Sequence, residues 1–157
     1  MNLNPTRQRF LAVPFVILSM CSTGSVFARS GGGAATVDGA RIVAADQEPQ
    51  NWLAHGRTYS EQRYSPLTQV NDGNVEKLGL AWSYATGTTR GLQASPIVVD
   101  GTMYTTGVWS VVWALDAKTG KELWKYDPEV PRAWGRYACC DAVNRGVAVW
   151  KGVVYFA

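Results

Sequence analysis

The chain has 157 residues, with 15 Lys and Arg against 12 Asp and Glu and a formal net charge of +3. That length suits one domain of ordinary size, and the near balance of charge gives no electrostatic basis for binding nucleic acid or an anionic membrane. Seven Trp, seven Tyr and 16 Gly, spread among short apolar runs, lean towards an all-β fold.

Residues 1–28 read as a secretory signal. Arg7 and Arg9 give a positive start, FLAVPFVILSM (10–20) is apolar, and VFA (26–28) is a small-x-small cleavage pattern ending at Ala28. The apolar run is much shorter than the ~20 residues of a membrane-spanning helix. A membrane anchor is therefore the weaker reading. A lipoprotein site at Cys21 is weaker still, because Met20 suits the position before such a cysteine poorly. Cleavage places the protein in the periplasm, removes Arg7 and Arg9, and leaves a nearly neutral chain.

Residues 29–47 are small, Gly-rich and unpatterned, as expected of a flexible N-terminal tail. From residue 48 to 157 the chain reads as one unit. Residues 51–67 have mixed polarity and suit a segment wrapped over a surface. A helical turn is expected around Asn74–Leu78, followed by a strand into Trp82.

Regular strands follow at AWSYAT (81–86), SPIVVD (95–100), TMYTTG (102–107), VVWALD (111–116) and ELWKYD (122–127), punctuated by glycine turns. Asp100-Gly101 suits a type I′ hairpin turn. The pattern repeats. GLAWSYATG aligns with KELWKYDPE, placing Trp82 on Trp124 and Tyr84 on Tyr126. SPIVVDGTMYTT aligns with GVAVWKGVVYFA, placing Gly101 on Gly152 and Tyr104 on Tyr155. Four strands in a repeat of roughly 40–50 residues are the mark of a β-propeller blade. One blade is expected over about residues 95–127, with part of another on each side. A lone blade cannot bury both of its faces, and VVYFA ends in a predicted strand. The reading is therefore the N-terminal piece of a longer propeller.

Cys139 and Cys140 are adjacent in RYACCDAVNRG. Neighbouring α-carbons lie about 3.8 Å apart, whereas disulfides usually span about 4.4–6.8 Å, so a bond between them closes a tight ring. In an exported chain that has lost Cys21, neither thiol has another partner within the chain. A vicinal disulfide is the leading reading. Two free thiols, or thiols paired outside the chain, are the alternatives.

ALDAKTGKELW (114–124) resembles the tryptophan-docking motif of quinoprotein dehydrogenases, in which the Trp of one blade packs on its neighbour. On that resemblance Trp124 docks, after a turn shaped by Ala114, Asp116, Thr119, Gly120 and Lys121, and Trp82 is a degenerate copy with no TGK before it. GRTYSEQRYSPLTQVNDGNVEKLGLAW, RGLQASPIVVDGTMY and CCDAVNRG are similar to the family's approach to the propeller, its first cofactor-facing strand and its vicinal-disulfide segment. Together these cover about residues 48–157.

The resemblance is to periplasmic alcohol dehydrogenases that use pyrroloquinoline quinone (PQQ) and calcium, some with a fused cytochrome c domain. It implies an eight-bladed propeller, oxidation of alcohols to aldehydes and electron transfer to cytochrome c. It implies that the disulfide of Cys139 and Cys140 lies flat on PQQ and that Arg145 meets the quinone carboxylates. Gln93 falls where many members carry a cofactor-binding glutamate. An amide there still donates and accepts but removes a charge. The calcium ligands, the catalytic aspartate and any haem c domain belong to later parts of the family's chain, so no catalytic or metal-ligating residue is expected in this one.

Bland readings compete at each position. Arg145 alone suits a solvated charge, and Gln93 a polar strand start. His55 is expected to pack or to face solvent, and Asp141 to cap a turn rather than act as a base. Trp109, Trp113 and Trp134 are expected to pack, with Trp109 near a pocket mouth. A non-catalytic propeller scaffold for outer-membrane assembly also explains the signal and the repeats, but it does not explain CCDAVNRG.

Overall fold

The structure is a computed structural model that describes residues 28–29 and 36–157. The signal reading falls almost wholly outside the described residues.

Four strands form one antiparallel sheet in chain order: β2 Ile97–Val99, β3 Thr102–Thr106, β4 Val112–Asp116 and β5 Glu122–Tyr126. This is the blade expected over residues 95–127. The β2–β3 turn carries Asp100 at φ 48° and Gly101 at φ 80°. Two successive positive φ values define a type I′ turn, whose twist matches the strands it joins. A second sheet holds β6 Ala148–Trp150 and β7 Val153–Tyr155, with β1 Ala28–Arg29 on the outer side of β7. Its hairpin repeats the turn, with Lys151 at φ 47° and Gly152 at φ 78°. The alignment of Gly101 with Gly152 is thus an alignment of turn geometry.

The blade is apolar on both faces, and each face is covered by a different part of the chain. On one side Ile97, Val99, Tyr104, Val112 and Ala114 pack with Val149 and Val154 of the second sheet. On the other, Val111, Trp113 and Leu115 pack with Trp82, Tyr84 and Met103. Burying each such aliphatic side chain contributes about 1.5–3 kcal/mol. Because β4 serves both faces, its residues from Val112 to Leu115 are all buried. The approach segment and the following hairpin are therefore structural halves of the blade's core.

Three segments differ from expectation. Residues 36–47 are not a loose tail: they contain the short helix α1 Gly39–Val43 and a 3₁₀ turn at Ala45–Gln47, and Val37, Ile42 and Ala45 are buried. Asp38 caps α1 by accepting from the Arg41 N–H at 2.8 Å. The segment straps both hairpins. Arg41 bridges Glu48 and Asp100, and the Val37 carbonyl accepts from the Lys151 N–H at 2.9 Å. Glu48, held by the Arg41 guanidinium, lies below the usual carboxylate range. Residues 51–53 do more than wrap a surface: Asn51 and Leu53 are buried and Trp52 pairs with Val98 at the edge of β2. Finally, residues 81–86 form no strand, and the helical turn is a 3₁₀ turn at Val75–Lys77.

The tryptophan seated on the TGK turn is Trp82, the copy expected to be degenerate. Asp116 Oδ1 accepts from the N–H groups of Lys118 and Thr119 and from the Thr119 hydroxyl, which shapes the turn before β5. Gly120 in that turn has φ +71°, and a Cβ there would lie 2.4 Å from the Trp82 ring. The indole N–H donates to the Ala117 carbonyl at 3.2 Å. The TGK sequence therefore builds the receiver, and the tryptophan it receives comes from the segment before it. Trp124 is half-buried against Tyr104, with ring centroids 6.0 Å apart.

Candidate functional site

Between β5 and β6 the chain runs through residues 127–147 with a 3₁₀ segment, Arg132–Tyr137, and little burial. Cys139 and Cys140 sit here as exposed thiols with their Sγ atoms 2.7 Å apart. The Cys139 thiol, foremost, pushes the Cys140 thiol above its ordinary range, while Arg145 pulls it down. Both cysteines are exposed, and Arg145 lies near enough to act on Cys140.

The irregular segment before β2, which carries Gln93, runs along this loop. Ser95 pairs in parallel with Gly146, and its N–H donates to the Arg145 carbonyl at 3.4 Å. Gly146 has φ +130°, where other residues are strained, and a Cβ there would lie 3.1 Å from the Ser95 carbonyl oxygen. Gln93 itself is exposed, as is Arg145. The structure therefore places Cys139, Cys140 and Arg145 on one loop and brings the segment of Gln93 to the same loop through Ser95.

Three further anchors hold the loop beside the Ser95 contact, and the sequence singles out none of them for that role. Arg90 pairs with Asp141, the residue after Cys140. The Trp109 N–H donates to the Ala142 carbonyl at 2.8 Å. Asn144, buried to 9 % exposure, ties the loop to β3. Trp109 and Ser110 both have positive φ, 62° and 56°, conformations that collect at functional sites. The guanidinium of Arg132 lies 4.6 Å from the Trp109 ring centre and that of Arg90 5.8 Å. Trp109 is thus a stacking platform in a cleft also lined by Arg136, Gly135 and Asp141.

His55 is exposed and contacts Arg63. Trp113 packs on the blade face, while Trp134 is exposed and stacks on Tyr137 at 5.5 Å. Asp141 accepts from the Ala142 N–H at 2.8 Å, a turn-capping contact.

The donor set suits a flat polyanion such as PQQ. It offers an exposed sulfur pair, the Arg145 guanidinium able to meet carboxylate oxygens in pairs, and the amide of Gln93. Among the described residues, no group of three or more His, Cys, Asp or Glu is placed to hold a metal ion, and no helix is long and apolar enough to cross a membrane.

Comparison with known proteins agrees with this reading of the fold. The pattern of the PQQ glucose/ethanol/alcohol dehydrogenase β-propeller domain matches residues 52–154. The quinohemoprotein alcohol dehydrogenase ADH-IIG of Pseudomonas putida is 61 % identical over 140 residues, covering 89 % of this chain and 19 % of its own length. The 1-butanol dehydrogenase (cytochrome c) of Thauera butanivorans is 58 % identical over 104 residues, covering 66 % of this chain and 15 % of its own. A solved structure of the Pseudomonas putida ADH-IIG superposes with a TM-score of 0.75 at 66 % identity, over 77 % of this chain and 18 % of that one. The chain thus spans about a fifth of the length of these relatives. With that pattern matched over residues 52–154, the chain belongs to the PQQ glucose/ethanol/alcohol dehydrogenase β-propeller family.

Proposed function

We propose that this chain supplies one wall of the PQQ pocket in a periplasmic, calcium-dependent alcohol dehydrogenase that oxidises alcohols to aldehydes and passes electrons to cytochrome c. The observation that carries the proposal is the loop bearing Cys139, Cys140 and Arg145, with both sulfurs and the guanidinium exposed together. The relatives' names support the rest: they print alcohol dehydrogenase, quinohemoprotein and cytochrome c. None of them is a scaffold for membrane assembly.

When bound, PQQ supplies the two-electron acceptor for the alcohol. This chain's residues bind and orient. Oxidised to a vicinal disulfide, Cys139 and Cys140 form a stiff, polarisable face for a planar ring. Arg145 holds carboxylate oxygens, and Gln93 donates and accepts where a glutamate would only accept. The calcium ligands, the aspartate base and a haem c group are assigned to parts of the protein beyond this chain. Export rests on the signal pattern of residues 1–28.

The test is to express the reading frame that carries this chain with PQQ and calcium and to follow cytochrome c reduction with a series of primary alcohols. Turnover that needs both additions is expected. Cys139→Ser should lower it at least tenfold. Full activity without PQQ, or with both thiols alkylated, overturns the proposal. The isolated chain should not turn over, since the base lies elsewhere; PQQ-dependent dye reduction by it would refute that assignment.

A further inference from the structure

We propose that Asn144 is the positioning residue that sets Arg145 and the cysteine pair against the cofactor. The inference rests on the function just proposed. An asparagine side chain has two donors and an oxygen with two lone pairs, and here every one is used. Oδ1 accepts from the Thr106 hydroxyl at 2.8 Å and from the Gly146 N–H at 3.0 Å. Nδ2 donates to Ser110 Oγ at 3.0 Å and to the Ala157 carbonyl at 2.6 Å. One buried amide thus joins β3, the Trp109–Ser110 turn, its own loop and Ala157 beyond β7.

The contact to Gly146 closes a turn two residues long with Arg145 at its apex. Gly146 at φ +130° lets the chain pass close to Ser95, which holds the Arg145 carbonyl. Arg145 therefore has a fixed backbone and an exposed head. Among residues 128–146 Asn144 is the single buried one, so the loop has no apolar core to hold it. Cofactor groups need positions held to a fraction of an ångström by supporting contacts. Removing Asn144 frees the loop between its other anchors and leaves Thr106, fully buried, without an acceptor for its hydroxyl.

The full-length protein tests this through PQQ affinity, read by quenching of tryptophan fluorescence well below the melting transition. Asn144→Ala is expected to raise the Kd for PQQ at least tenfold while far-ultraviolet circular dichroism stays that of the parent. Thr106→Val, which removes only the donor to Oδ1, should raise it about threefold, and Thr106→Ser, which keeps that donor, should restore the parent value. A folded Asn144→Ala variant with Kd within twofold of the parent overturns the proposal. If Asn144→Ala does not fold, an unchanged Kd in Thr106→Val overturns it instead. A second readout is independent of cofactor: the equilibrium of the Cys139–Cys140 pair with glutathione in the apoprotein. It should shift at least threefold towards the dithiol in Asn144→Ala. If the parent fails to bind PQQ, the proposed function falls, and this equilibrium still decides the role of Asn144; no shift there counts against it.

Discussion

The blade of β2–β5 and the loop of residues 128–146 lie next to each other in the chain and are built by opposite means. The blade is held by buried aliphatic and aromatic side chains on two faces, with β4 enclosed between them. The loop is held by an ion pair, two backbone hydrogen bonds and one buried amide, with its sulfurs and its arginines exposed. Apolar burial gives the blade a stability that is spread over many contacts and tolerant of small changes. Directional polar contacts give the loop a definite shape at little net stability, which suits a surface meant to meet a ligand.

Substitutions can break or sharpen that contrast. The largest loss of stability is expected in the blade. Leu115→Ala, at 2 % exposure, should cost about 2–5 kcal/mol in urea unfolding and leave thiol chemistry in the loop unchanged until the protein melts. Next comes the joint between blade and approach segment. Gly120→Ala meets both a positive φ and the Trp82 ring, whereas Gly101→Ala meets a positive φ with open space around it. The second should cost about 1–2 kcal/mol and the first distinctly more, with loss of the Trp82 fluorescence environment only in the first.

A pH titration probes the same joint. Burial, then the hydrogen bond to Glu122, pushes the Tyr84 hydroxyl up to about 12. A group whose folded pKa is raised stabilises the fold below its unfolded pKa, near 10, and loses that contribution as pH rises towards 12. The parent protein should therefore lose more stability between pH 10 and 12 than Tyr84→Phe does. The smallest stability effect belongs to the loop. Arg90→Gln removes an exposed ion pair with Asp141 and should cost under about 1 kcal/mol, yet alter the alkylation rate of Cys140 severalfold. A large stability loss with unchanged alkylation would erase the distinction between the two regions.

The same distinction explains what the sequence disclosed. The strands of the blade and their Asp-Gly turn were legible because alternation and turn chemistry are local. The placing of Cys139, Cys140 and Arg145 on one loop followed from their adjacency. Trp82 reads only as a degenerate copy because its receiver lies further along the chain, at Ala117–Gly120, and nothing beside Trp82 announces it. The strap at residues 36–47 was hidden because Val37, Ile42 and Ala45 bury small side chains without a period, and its hold on Asp100 crosses the fold. Asn144 stood in a quoted motif, but its four partners come from residues 106, 110, 146 and 157, and no spacing rule unites those.

Trp82 precedes the carbonyl it binds by 35 residues. A polypeptide emerging N-terminus first therefore presents this indole before its seat exists, and the joint can close only when the next repeat has emerged. At this joint assembly then runs in one direction, the later turn latching the earlier segment. A nascent chain arrested ahead of Gly120 would keep that ring open to water and to chaperones.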